Sequence, residues 1–124
     1  MGLDCYWTKP NESKSQPLDF DPPLCIEDEH DRRQRRKGWA HFRGRTFEDA
    51  IQQITGVSLR AYLDNATVGK IAERLEAFAV EPWPLPPSEI LAIGWEAFSS
   101  DEYRDLARLF RTYAAAGYEL RGSW

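Results

Sequence analysis

Three short segments, at the two ends of the chain and between them, alternate apolar with polar residues. They cover residues 2–8, 38–43 and 118–124. A period of two is typical of a strand that buries one face. If these strands pair, the two chain ends meet in one small sheet, and everything between them must fold around it. We therefore expect a small, antiparallel sheet.

Helical patterns fill much of the sequence between the second and third segments. Apolar residues recur there at helical spacing, with capping residues before them and glycines after them. Residues 88–98 are also compatible with a short helix broken at Gly94, so we expect three or four helices on the sheet and an α+β fold. The first helix should run from Thr46 to Gly56, the second should start at Asp64 or Asn65, and the third should run from Ser99 to Gly117.

The alternation also predicts which strand residues enter the core. A slip of one residue in the pairing would exchange the buried and exposed sets, so this prediction depends on the register. The residues expected to face the helices are Leu3, Cys5, Trp7, Ala40, Phe42, Tyr118 and Leu120.

A length of 124 residues predicts a single domain, 1–124. Its least regular part is a charged connection over about residues 9–37, which has no clear periodicity. We expect this connection to be poorly structured; the alternative is that it packs through its few apolar residues. Those residues are Leu18, Phe20, Leu24 and Ile26.

The polar face of the sheet gathers the best candidates for a ligand site. A histidine held by a carboxylate, here His41 beside Asp4, can act as a general base, and two arginines can bind an anion together. The simpler alternative is a solvated face without function. The candidate ligand-binding residues are Asp4, Tyr6, Trp39, His41, Arg43 and Arg121, with Glu119 on the same face.

Charge is unevenly distributed along the chain. The formal net charge is −4, yet five of the sixteen basic residues form one cluster, which follows an acidic run. Such a segment is either a self-neutralising loop or a basic patch that binds phosphates or an acidic partner. The cluster consists of Arg32, Arg33, Arg35, Arg36 and Lys37, and the acidic run of Glu27, Asp28, Glu29 and Asp31.

A proline-rich stretch over residues 80–87 places Trp83 and Leu85 on a rigid backbone. Such a segment either docks into a partner or forms a strap over the protein's own core.

Signatures of catalysis and metal binding are absent from the sequence. There is no C-x-x-C, no H-E-x-x-H, no G-x-S-x-G and no glycine-rich phosphate loop. We predict no catalytic residues, no metal and no cofactor, and expect binding rather than enzymatic turnover.

The two cysteines, Cys5 and Cys25, follow no apolar leader, and no apolar run is long enough to span a bilayer. We therefore expect a cytoplasmic protein with free thiols and no membrane partner.

Four short motifs resemble segments of small hypothetical proteins of prokaryotes and their viruses. The resemblance implies a bacterial or phage accessory protein and assigns no functional residue. The motifs are MGLDCY at residues 1–6, FRG at 42–44, ITGVSL at 54–59 and GSW at 122–124.

Small size, an acidic body and many aromatic residues together predict a cytosolic protein-interaction module of the inhibitor, immunity or adaptor type. The alternative is a small-molecule or nucleotide-binding protein that uses the polar sheet face, with a small anionic ligand. A third hypothesis is nucleic-acid binding through residues 32–37.

Overall fold

The computed structural model describes residues 4–10, 16–27, 29–42, 44–79 and 100–123. These ranges form a three-stranded antiparallel sheet and four helices, which confirms the predicted α+β class. The strands are β1 (Asp4–Thr8), β2 (His41–Phe42) and β3 (Glu119–Ser123). The helices are α1 (Glu29–Arg36), α2 (Gly44–Thr55), α3 (Asn65–Ala79) and α4 (Ser100–Ala115).

The sheet joins the two chain ends, with β1 between β2 and β3. Tyr6 lies opposite His41 on one side and opposite Arg121 on the other, so the three residues form one row across the sheet. Leu63 extends the sheet beyond β3, since its backbone and that of Leu120 exchange two hydrogen bonds of 2.9 Å.

One face of the sheet forms part of the hydrophobic core. The described strand residues predicted to point inward are all buried, which agrees with the register of the strand pairs. Trp7 stacks on Tyr113 of α4 with ring centroids 4.4 Å apart and meets Phe110 edge-on at 5.1 Å. The confirmed inward residues are Cys5, Trp7, Ala40, Phe42, Tyr118 and Leu120.

The helices α2, α3 and α4 lie close to their predicted positions. Helix α2 begins at Gly44, two residues before the predicted start at Thr46. Thr46 therefore lies inside the helix and does not cap it. The side chain of Asp64 accepts a 2.8 Å hydrogen bond from the Thr67 backbone, as expected of a residue that caps α3. The predicted stops Gly56 and Gly117 have φ angles of 75° and 86°, which favour glycine.

The connection over residues 9–37 is more ordered than the sequence predicts. Its described part contains α1, and Leu24 is fully buried in the core. Its backbone is also held by α4, since the Tyr113 hydroxyl accepts a 3.0 Å bond from Leu18 and Asp105 a 2.7 Å bond from Cys25. Residues 29–36 of the predicted connection form helix α1.

Several predicted features lie outside the described residues. These are Leu3, Arg43, Trp83, Leu85, the ambiguous segment 88–98 and the side chain of Asp4. Among the helices that the structure describes, none is long and apolar enough to cross a membrane.

Candidate functional site

The face of the sheet opposite α4 carries a mixed aromatic and charged surface. Alternation along β1 and β3 turns its side chains away from the core, because their chain neighbours Cys5, Trp7 and Leu120 are buried. We call this surface the open sheet face. It consists of Tyr6, Trp39, Tyr62, Glu119 and Arg121.

Two large aromatic side chains on this face remain exposed to solvent. Trp39 is 47% exposed and Tyr62 is 55% exposed, and among the described residues these are the two exposed large hydrophobic side chains. They lie at opposite edges of the sheet, beside β2 and beyond β3. Three strand spacings separate these edges, a width of roughly 14 Å. Aromatic side chains such as these are enriched at interfaces between proteins.

Around Trp39, the aromatic rings form a connected group. The Tyr6 ring lies edge-on to Trp39, with centroids 6.3 Å apart, and edge-on to His41 at 5.4 Å. Such edge-on pairs are favourable arrangements of aromatic rings. Tyr6 therefore supports Trp39 from the centre of the sheet.

At the opposite edge, Tyr62 has two polar neighbours from β3. Its hydroxyl donates a short hydrogen bond to Glu119, and the Arg121 guanidinium lies 5.2 Å from its ring centroid. The bond to the Glu119 carboxylate raises the pKa of the Tyr62 phenol above its ordinary value. A cation over an aromatic face is attracted by the ring's electrons, so Arg121 and Glu119 together orient this exposed tyrosine.

His41 shares this face through its pairing with Tyr6, but its side chain is buried against Asp31 of α1. Its side chain is 2% exposed, and its Nδ1 atom lies 3.1 Å from Oδ1 of Asp31. A carboxylate only accepts hydrogen bonds, so this contact requires a proton on Nδ1. A histidine–carboxylate pair could serve as a general base, but the burial of the imidazole keeps a substrate from reaching it. The pair joins α1 to β2.

An ion pair lies beside this hydrogen bond. Arg35 donates a 2.6 Å hydrogen bond to Oε1 of Glu27, while Oε2 of Glu27 is buried without a hydrogen-bond partner among the described residues. Burial raises the pKa of the Glu27 carboxyl despite the nearby guanidinium. Glu27, Asp31 and His41 line a cavity of about 20 Å³. This volume suits one water molecule and excludes a larger ligand.

The predicted basic cluster is divided between two roles. Arg35 is partly buried in the pair with Glu27, whereas the other four cations are exposed. Two of those, Arg32 and Arg36, share the carboxylate of Glu29 at 4.0 and 3.2 Å. The sequence allowed either a self-neutralising segment or a basic patch that binds an anionic partner. Pairing with nearby carboxylates accounts for only part of the cluster.

The structure brings together four of the six predicted ligand-binding residues. Tyr6, Trp39 and Arg121 share the open sheet face, and His41 lies on the same side of the sheet with its side chain buried against α1. The carboxylate shown on His41 is Asp31 rather than the predicted Asp4. Because the Asp4 side chain and Arg43 lie outside the described part, their roles stay predictions.

Sequence reasoning missed three residues of this region. Asp31 and Glu27 lie in a charged run with no apolar periodicity, so nothing local indicated that they turn inward. Tyr62 belongs to the face only because its neighbour Leu63 pairs with Leu120. The one available signal was the isolated Tyr62-Leu63 pair of apolar residues just before the start of α3.

The cysteines are free and poorly suited to nucleophilic chemistry. Cys5 is buried. Loss of solvation and the neighbouring Asp105 raise the pKa of the Cys25 thiol to about 11, so little thiolate forms at neutral pH. Among the described side chains, no group of three or more His, Cys, Asp and Glu residues is arranged to hold a metal ion.

Comparisons of the chain with protein-family models, with curated proteins and with solved structures found no match.

Proposed function

We propose that this chain is a small cytosolic protein-interaction module that binds its partner through the open sheet face. The observation that supports this proposal best is the position of the exposed aromatic residues. Trp39 and Tyr62 lie on the same face of the sheet, while α4 packs against the other face.

Interfaces between proteins depend on a few aromatic and arginine side chains. The open sheet face supplies Trp39, Tyr6 and Tyr62 together with Arg121. Burying one such aromatic side chain contributes about 1.5–3 kcal/mol. Contacts with Tyr6 and Arg121 already restrict the two exposed rings, so less side-chain entropy is lost when a partner binds.

A protein partner fits this surface better than a small molecule does. Sites for small molecules are concave and enclose most of the ligand. The open sheet face is a broad surface, and the cavity beneath α1 has room for about one water molecule. Catalysis is also disfavoured, since the imidazole of His41 is buried.

The test is capture of partners from lysate of the native host, with three forms of the tagged protein. The wild type is compared with the double variant Trp39→Ala/Tyr62→Ala. The control is Gln52→Ala/Gln53→Ala, which removes two exposed side chains from α2. Circular dichroism and thermal unfolding establish that all three forms fold.

We expect the wild type and the α2 control to retain one stoichiometric protein partner. The aromatic variant should bind that partner roughly a hundredfold more weakly, since two hot-spot side chains are lost. Equal retention by the aromatic variant would contradict the proposal. So would retention of a nucleotide or a nucleic acid with no protein partner.

A further inference from the structure

We propose that the partner presents an acidic segment, which extends from Trp39 across the exposed face of α1. This inference rests on the proposed function and specifies the chemistry of the partner. The α1 outer face is defined by Glu29, Arg32, Arg33, Arg36 and Lys37.

The chain itself connects α1 to the open sheet face. Helix α1 ends in a tight turn at Gly38, whose φ is 85°. The Trp39 backbone then donates a 2.9 Å hydrogen bond to the carbonyl of Gln34 in the last turn of the helix. Trp39 thus follows Lys37 by two residues and is fixed against the end of α1. A partner that covers Trp39 meets the basic end of this helix.

The two sides of α1 have different charge. Asp31, Gln34 and Arg35 are partly buried at helical spacing, and they face β2 and Glu27. The residues on the α1 outer face are all exposed. That face carries four cations and one carboxylate, so it is strongly basic even though Arg32 and Arg36 share Glu29.

Two partly buried polar contacts hold α1, and with it this basic face, in place. Asp31 binds His41 at 3.1 Å, and Arg35 binds Glu27 at 2.6 Å. Both contacts are largely shielded from solvent, so salt screens them less than it screens the pairs on the surface. The cations are therefore presented in a fixed relation to Trp39, as a preorganised binding surface requires.

The charge of the whole chain favours an acidic protein segment over a long nucleic acid. The chain has 16 basic and 20 acidic residues, and five of the basic ones form the cluster. The rest of the chain therefore has 11 basic and 20 acidic residues. A long polyanion would meet this acidic body as well as α1. A short acidic segment would contact the basic face alone, because charges farther than about 8 Å are largely screened at physiological ionic strength.

The test measures binding of labelled peptides by fluorescence anisotropy. The probes are a Glu-rich peptide that contains leucine, its counterpart with Gln in place of Glu, and a single-stranded oligonucleotide of matched charge. The charge-reversal variant is Arg33→Glu/Lys37→Glu. Its control is Lys70→Glu/Arg74→Glu, which reverses two exposed cations at the same four-residue spacing on α3.

We expect the Glu-rich peptide to bind at least about tenfold more tightly than the Gln peptide, with affinity that falls as salt rises. The variant Arg33→Glu/Lys37→Glu should lose about tenfold or more in affinity, and the α3 control should lose much less. The single variant Trp39→Ala should also weaken binding, which would connect the basic face to the open sheet face.

Three results would overturn the inference: failure of the Glu-rich peptide to bind, equal binding by the two charge-reversal variants, or tighter binding of the oligonucleotide. The lysate experiment separates this failure from that of the proposed function. If partner capture requires Trp39 and Tyr62 but is indifferent to Arg33→Glu/Lys37→Glu, the interaction surface stands and the acidic partner does not.

Discussion

Glu27 shows how much the behaviour of one residue depends on its neighbours in three dimensions. In the sequence it is one of four acidic residues in a charged run. In the folded chain it is partly desolvated beneath α1, and one of its oxygens has no hydrogen-bond partner among the described residues. Asp31, four residues later, pairs with His41 instead of solvent. Glu29, in the same run, is exposed. No local sequence pattern distinguishes it from Glu27 and Asp31, because which of the three are partly buried depends on how α1 packs against the rest of the protein.

The first residue-scale prediction concerns the pH dependence of stability in the variant Glu27→Gln. Burial raises the folded-state pKa of Glu27 above its ordinary value of 4.5. Its contribution to stability is therefore complete below pH 4.5 and is lost as pH rises through the folded-state value. The amide that replaces the carboxyl in the variant does not titrate. The free energy of unfolding of Glu27→Gln, relative to wild type, should increase with pH across that window.

Glu76 provides a comparison in which the pKa of the carboxyl shifts in the opposite direction. Arg111 donates hydrogen bonds of 3.0 and 2.7 Å to its carboxylate, which lowers the pKa of Glu76 below 4.5. Its contribution is present above pH 4.5 and is lost as pH falls through the folded-state value. Glu76→Gln should therefore lose stability relative to wild type as pH rises. Chemical denaturation over a pH series measures the free energy of unfolding of both variants relative to wild type. If the two values changed with pH in the same direction, the assigned pKa shifts would be contradicted.

At the scale of elements, apolar periodicity explains which helices could be predicted. Buried apolar residues recur at helical spacing on α3 and α4. They are Val68, Ile71, Ala72, Leu75 and Phe78 on α3, and Tyr103, Leu106, Ala107, Phe110 and Tyr113 on α4. Helix α1 has no such pattern. It is held by the ion pair with Glu27, by the hydrogen bond with His41, and by the turn that leads to Trp39. Patterns of hydrophobic residues cannot predict a helix whose contacts with the protein are polar.

The element-scale prediction concerns the junction between α3, α4 and β3. The side-chain amide of Asn65 donates hydrogen bonds of 2.9 and 3.0 Å to the carbonyls of Ala114 and Tyr118, so it joins the start of α3 to the end of α4. Asn65→Ala should destabilise the protein by about 2 kcal/mol, because two partly buried hydrogen bonds are lost, although the Ala114 carbonyl keeps its bond from the Gly117 backbone. Asp64→Ala removes only the cap of α3 and should cost about 1 kcal/mol.

Urea unfolding of both variants measures these losses. The larger loss should belong to Asn65→Ala, with a slope against urea that matches wild type. If Asp64→Ala proved the more damaging change, the junction between α3 and α4 would not have the role that we assign to it.

At the scale of the whole molecule, the sheet that joins the chain ends determines both the core and the candidate interface. Burial of Cys5, Trp7 and Leu120 on one face leaves Tyr6 and Arg121 on the other, and this division could be predicted from alternation alone. Alternation could not predict that Tyr62 belongs to the open sheet face. Its place there depends on a single bridge between Leu63 and Leu120, residues 57 positions apart in the sequence.

The central claim is that the open sheet face is where a partner binds. Hydroxyl-radical footprinting of the captured complex, compared with the free protein, tests it most directly. We predict that Trp39 and Tyr62 react in the free protein and are protected in the complex, while the exposed side of α3 reacts equally in both. If Trp39 and Tyr62 reacted at the same rate with and without the partner, the interface would lie elsewhere and the account would be contradicted.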